Sequence, residues 1–185
     1  EKIYGAVLLI QYGVLELVRD REGKEVANAL LQQFAEILKD YLDDTRQSVV
    51  SRISVNEFAI LLPTNNPNEV KAKALMLHAH LIKEFTLQGI NLDLQVKIGG
   101  AAFPENGKSS DELLQAAFYA LQSIKGNNER FIAYHDSAVR DKYLRKLTLR
   151  DKLKTALKQG KLEVHYQPII AAETEAIEKF EALVR

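Results

Sequence analysis

Residues 51–63 read SRISVNEFAILLP. Two apolar runs, Val49 to Ile53 and Phe58 to Leu62, flank a tip made of Ser54, Val55, Asn56 and Glu57. Their lengths and residue types predict a pair of strands. The tip is unusual. Tight hairpin turns place residues at positive φ and favour Gly, Asn or Asp, whereas Val55 is β-branched and poorly suited to that conformation. The residues point to a turn that once served another purpose and whose need for glycine has lapsed.

Working outward from the hairpin, apolar periodicity alternates between strand and helix. Upstream, Ile3 to Ile10 reads as a buried strand. From Gly23 a helical stripe follows through Val26, Leu30, Phe34, Leu38 and Tyr41 or Leu42. Downstream, Asn66-Pro67 is a helix start, with Asn as N-cap and Pro at the first position. That helix turns Val70, Ala74, Leu77, Leu81 and Phe85 inward and is expected to end at Gln88-Gly89. Leu92 to Phe103 reads as one strand. Ser109 and Glu112 form a capping box for a helix with Leu113, Ala117, Leu121 and Ile124 inward. Gly126-Asn127-Asn128 stops it, and Arg130 to His135 gives a last strand.

The order β-α-β-β-α-β-α-β predicts an α/β fold, a ferredoxin-like or nucleotidyl-cyclase-type α/β sandwich with a central, mainly antiparallel sheet. A connector helix and a short β-hairpin fragment then follow. The connector, Ser137 to Lys158, changes phase from Val139, Tyr143 and Leu147 to Leu149, Leu153 and Leu157. Thr148 and Asp151 read as a capping box between two helical pieces. After Gly160, strands are expected at Leu162 to Tyr166 and Ile177 to Leu183.

Composition excludes several function classes. Lys plus Arg and Asp plus Glu number 25 each, so no net charge draws the chain to nucleic acid or anionic lipid. The absence of cysteine rules out disulfides, thiolate metal sites and a cysteine nucleophile, and fits a reducing, cytoplasmic location. No apolar run reaches the ~20 residues of a membrane helix, and the first residues are not a signal peptide. Glu1, in place of an initiating Met, points to a piece of a longer chain. His78 and His80 lie two apart on a helix and so point away from each other, which argues against a shared metal. His165 alternates with strand neighbours and reads as structural.

SVNEFAILLP resembles the GGDEF signature of diguanylate cyclases and its following strand. REGKEVANALLQQFAEIL is similar to the family's first long helix, VKIGGAAFPENGKSSDELLQAAFYALQSIKG to its later strand and helix, and RFIAYH to its last strand. LRDKLKTALKQGKLEVHYQPII and FEALVR resemble the opening of an EAL domain, the phosphodiesterase of cyclic di-GMP. The resemblance implies a degenerate GGDEF domain at 1–136, a helical connector at 137–159 and an N-terminal EAL fragment at 160–185.

It also implies where chemistry would sit. Joining two GTP molecules requires divalent metal, and Mg²⁺ takes oxygen ligands. The family's Asp at the end of the first strand matches Gln11, and an acidic residue two further on matches Gly13. The signature positions are Ser54, Val55, Asn56, Glu57 and Phe58, so Glu57 alone remains as a vestigial metal ligand. The guanine-recognising pair falls on Arg19 and Asn28. The phosphate-holding lysine is kept as Lys125, while the Arg that follows it falls on Glu129, beside Arg130. The Arg-x-x-Asp inhibitor site covers Thr45 to Ser48 and matches at neither end. No catalytic residue is expected to function as a cyclase. In a complete EAL domain Glu181 would ligate the metal, Mg²⁺ being one candidate, and Gln167 would bind substrate. A complete barrel of that type needs ~250 residues, so no cofactor is expected for the chain as it stands.

The expected role is a non-catalytic regulatory module reporting to a downstream cyclic di-GMP phosphodiesterase. Alternatives are a GTP-binding allosteric sensor, through Asn28 and Lys125, and a weakly active diguanylate cyclase. GTP, cyclic di-GMP reached through the complete EAL domain and a second copy of the chain are the expected partners; nucleic acid and membrane are not.

Overall fold

The computed structural model describes residues 4–13, 15–43, 48–64, 66–82, 85–87, 90–92, 95–124 and 131–184. By its contacts the chain divides into two units, 1–143 and 144–185. The first is built on β1 (Tyr4–Gln11), α1 (Leu15–Glu22), α2 (Lys24–Asp43), β2 (Val49–Arg52), β3 (Glu57–Thr64), α3 (Pro67–Leu81), β4 (Phe85–Leu87), β5 (Ile90–Leu92), β6 (Lys97–Phe103), α4 (Ser110–Ser123) and β7 (Ile132–Tyr134). A five-stranded sheet in the order β2-β3-β1-β6-β7 forms its centre. All its pairings are antiparallel except β6 with β7, as the mainly antiparallel expectation required.

Strand alternation sends side chains to two cores. Ala6, Leu8 and Ile10 of β1, with Phe58, Ile60 and Leu62 of β3, pack against Leu30, Phe34 and Leu38 of α2 and Val70, Ala74 and Leu77 of α3. Val7 and Leu9 point the other way, onto Leu113, Ala117 and Leu121 of α4. Both predicted caps form. The Asn66 side chain accepts from Asn68 N, and Ser109 Oγ accepts from Glu112 N at 3.3 Å. The Glu112 carboxylate reaches back to Lys108 N at 2.7 Å, one residue earlier than a capping box would have it.

One helix is added and three expectations are corrected. Helix α1 has only Leu15 and Val18 buried, too few apolar residues for periodicity to show; Gly23, at φ 94°, separates it from α2. Helix α3 stops at Leu81 instead of continuing to Gln88-Gly89, which lie outside the described residues, and Phe85 belongs to strand β4. There Phe85-Thr86-Leu87 pairs with Ile90-Asn91-Leu92, runs whose aromatic and β-branched residues favour a hairpin over another helical turn. The strand expected over Leu92 to Phe103 is divided, with Gln95 at φ 45° just before β6. Finally, α5 (Ser137–Lys158) is one helix of 22 residues. Thr148 Oγ1 donates to Leu144 O at 3.1 Å, the back-bond of a residue inside a helix, and caps nothing. None of α5 is fully buried, so no core enforces a break where its apolar stripe changes phase.

In the second unit, β8 (Val164–Ile170) pairs antiparallel with β9 (Ile177–Val184), with one irregularity at Ile169/Ile170. Val164, Tyr166, Ile170, Ile177, Phe180 and Val184 are all exposed on it.

Candidate functional site

Strand register brings the hairpin tip to the end of β1. Gln11 is opposite Glu57 on one side and Lys97 on the other. Directly opposed residues of antiparallel strands share a face, so Glu57, Gln11 and Lys97 form one row across three strands. Gln11 Nε2 donates to Glu57 Oε1 at 3.0 Å, and Ser54 Oγ donates to Glu57 Oε2 at 3.1 Å. Both oxygens of the carboxylate thus accept from neighbouring side chains.

The tip is closed on itself. Glu57 O accepts from Ile53 N at 2.9 Å and from Ser54 N at 3.3 Å, and Asn56 O accepts from Tyr12 N at 3.2 Å. Arg52 Nε donates to Ser54 O and Arg52 Nη2 to Val55 O, each at 3.0 Å; Tyr12 Oη also donates to Val55 O at 3.0 Å. Among the described non-glycine residues only Gln95 and Glu175 have positive φ. Val55 therefore sits in a loop wide enough to spare it that conformation, and side chains rather than glycines hold the turn.

Tyr12 anchors the tip from below. It is fully buried, with its ring 4.7 Å from Phe34 and 6.2 Å from Phe58. Burial pushes its hydroxyl from 10.0 up to about 12, against the lowering pull of Arg52. The unfolded chain loses this proton near pH 10 and the folded protein holds it to about 12. The stability linked to it is therefore full below pH 10 and lost as pH rises through 12. Urea midpoints across that range should fall more steeply for the natural protein than for Tyr12→Phe, which at neutral pH costs only the hydrogen bond, about 1 kcal/mol.

The remaining expected residues are placed as follows. Asn28 is exposed on α2, and Gly13 and Arg19 are exposed beyond β1. Lys125, Glu129, Arg130 and Thr45 to Gln47 lie outside the described residues. No group of three or more His, Cys, Asp or Glu able to hold a metal occurs among the described residues. His78 packs its ring 5.3 Å from Phe131, with Nε2 3.2 Å from Val96 O, and burial lowers its pKa. His80 lies 5.9 Å from the Tyr41 ring, and His165 Nε2 is 3.6 Å from Glu163. On the second unit Gln167 and Glu181 are direct cross-strand partners, a juxtaposition that sequence spacing does not reveal. Tyr12, Arg52 and Lys97 also escaped the sequence reading; their signal is register, not motif.

Comparison with known proteins adds the following. The family described as diguanylate cyclase, GGDEF domain, matches residues 2–130. The uncharacterized protein y4lL of Sinorhizobium fredii is 32% identical over 97% of this chain and 22% of its own length. The cyclic di-GMP phosphodiesterase NbdA of Pseudomonas aeruginosa is 26% identical over 97% of this chain and 23% of its own. The chain thus spans under a quarter of the length of these curated relatives. Among solved structures, the GGDEF domain of TpbB (YfiN) from Pseudomonas aeruginosa superposes with a TM-score of 0.70 at 22% identity, covering 77% of this chain and 83% of that one. No described helix is long and apolar enough to cross a membrane.

Proposed function

Since residues 2–130 make this chain a member of the GGDEF domain family, we propose that it is a non-catalytic regulatory domain of a cyclic di-GMP signalling protein. One observation carries the reading. Where a cyclase needs carboxylates converging on divalent metal, Gln11 donates to Glu57 and Ser54 occupies its other oxygen. Mg²⁺ binds through oxygen ligands and favours carboxylates; the row Glu57, Gln11, Lys97 offers one carboxylate, one amide and one cation. These residues do not fit the ion, and no catalytic step is assigned to them.

The output is a downstream EAL phosphodiesterase. Support comes from NbdA, named a cyclic di-GMP phosphodiesterase and similar over 97% of this chain, and from Gln167 and Glu181, which β8 and β9 set opposite each other. In this reading residues 1–136 are the degenerate domain, 137–159 the connector and 160–185 the start of the EAL domain, where Glu181 takes part in holding Mg²⁺ and Gln167 meets cyclic di-GMP. The continuity of α5 from Ser137 to Lys158 makes it the route by which a change in the first domain reaches the phosphodiesterase.

The test is chromatographic detection of cyclic di-GMP after prolonged incubation with GTP and Mg²⁺. No product is expected; turnover abolished by Glu57→Gln would overturn the proposal. A parallel calorimetric titration with GTP is expected to give no saturable heat. Heat that disappears in Lys125→Ala would leave the domain non-catalytic and make it a GTP sensor.

A further inference from the structure

The hairpin of the second unit has two unlike faces. Directly opposed residues of antiparallel strands share a face, and successive residues alternate between faces. Val164, Tyr166 and Pro168 of β8 therefore lie with Phe180, Ala182 and Val184 of β9 on one side, which is apolar but for the Tyr166 hydroxyl. The other side pairs His165 with Leu183, Gln167 with Glu181 and Ile169 with Lys179. Polar chemistry is confined to this second face. Lys179 stands about 7 Å along the strand from Glu181 and diagonal to Gln167, separations that a long side chain spans. At the far end His165 is already engaged, its Nε2 3.6 Å from Glu163. Lys179 has no ion-pair partner among the described residues.

We propose that Lys179 is a further substrate-binding residue of this face, its ammonium holding a non-bridging phosphate oxygen of cyclic di-GMP. This role presupposes the assignment of residues 160–185 to the start of an EAL domain. It adds to that assignment a residue outside the motifs on which the family resemblance stands. Charge selects the role. Each phosphodiester of the ligand is an anion, and Gln167 and Glu181 alone offer it a neutral amide and a carboxylate that repels it. Lys179 offsets the repulsion. Its compact charge and three donors on a flexible stem suit a phosphate oxygen that no planar fork need grip from two sides. Position matters as much as charge. One place later on β9 stands Phe180, whose side chain falls on the apolar face; a cation there would reach neither Glu181 nor Gln167. Ile169 and Leu183 close the polar patch at opposite ends.

The test uses the longer protein to which the chain belongs under that assignment. Cyclic di-GMP binding is measured by calorimetry in EDTA, where no metal-dependent turnover consumes the ligand, and the KM for its hydrolysis is measured with Mg²⁺. Lys179→Gln should weaken binding about tenfold, the scale of one charge-assisted hydrogen bond, and raise KM by a similar factor. Lys179→Arg keeps the charge and should recover most of both. Lys158→Met, which removes a cation from α5, should bind as the natural protein does, and all three variants should melt where it melts. Equal affinity and KM in Lys179→Gln and the natural protein overturn the proposal and leave the EAL assignment standing. A loss that comes with a lowered melting temperature and is not recovered by Lys179→Arg makes Lys179 structural, and overturns it as well. A natural protein that neither binds nor hydrolyses cyclic di-GMP overturns the EAL assignment and the proposal with it.

Discussion

Gly99→Ala is expected to destabilise the first unit by about 3 kcal/mol or more, at the upper end of what overpacking a core costs. Gly99 lies on β6 opposite Leu9. A Cβ there would come within 2.2 Å of Ala117 O and 2.6 Å of Leu121 N, both backbone atoms of α4, and 2.8 Å from Leu121 Cβ. A flexible side chain could swing aside; a helix backbone cannot, so α4 must lift off the sheet as a body. Lifting it opens the contacts that Val7 and Leu9 make with Leu113, Ala117 and Leu121. For a domain of this size the loss should lower the melting temperature by roughly 10 °C. Gly5→Ala is the internal control: its Cβ meets only Leu62 O, at an ordinary 3.6 Å, and the midpoint should hardly move. Paired urea curves for the two variants decide it, and equal midpoints would refute the close-approach argument.

Those contacts also explain which parts of the fold were legible in the sequence. Helices α2 and α4 each bury one face, so their apolar spacing announced them, and the caps at Asn66 and Ser109 carry the residue types that capping chemistry requires. Helix α3 misled for the opposite reason. Apolar on both faces, it offers no contrast by which to see the pattern end before β4. Helix α1 failed for want of signal, with only two inward residues in eight. In α5 the apolar stripe changes phase without a break, because phase matters only where a core reads it.

The candidate site divides along the same line. The family resemblance implies metal- and phosphate-binding residue types where Gln11, Ser54, Val55 and Asn56 stand, and that much is legible because a motif is local. The contacts that these residues make are not. Gln11 and Glu57 are 46 positions apart and Tyr12 and Val55 are 43 apart; only strand register shows that they meet. The tip is held without glycine: Arg52 and Tyr12 donate to its carbonyls, and Gln11 donates to the Glu57 carboxylate. Under the proposed function this amounts to an exchange of ligand binding for internal hydrogen bonding, in keeping with the rule that functional sites give up stability for chemistry.

Gln11→Glu tests that exchange. The substitution keeps the side-chain shape, removes the donor that Glu57 Oε1 accepts from at 3.0 Å, and puts a second carboxylate in its place. The loss of one charge-assisted hydrogen bond together with like-charge repulsion, at a half-buried site, should cost about 2 kcal/mol at neutral pH. The paired carboxylates would then make an oxygen-rich cluster of a kind not found among the described residues of the natural protein. Millimolar Mg²⁺ or Mn²⁺ should stabilise the variant, recovering about 1 kcal/mol if the ion reaches several times its dissociation constant, and should leave the natural protein unchanged. The variant should still make no cyclic di-GMP, because Ser54 and Val55 remain where backbone would have to approach phosphate. Metal-dependent melting curves of the two proteins separate the outcomes. Equal stabilisation of both by metal would mean that Glu57 already ligates it despite Gln11. A variant as stable as the natural protein without metal would mean that the Gln11–Glu57 bond contributes nothing, and the proposal of a non-catalytic domain would then have to rest on the tip alone.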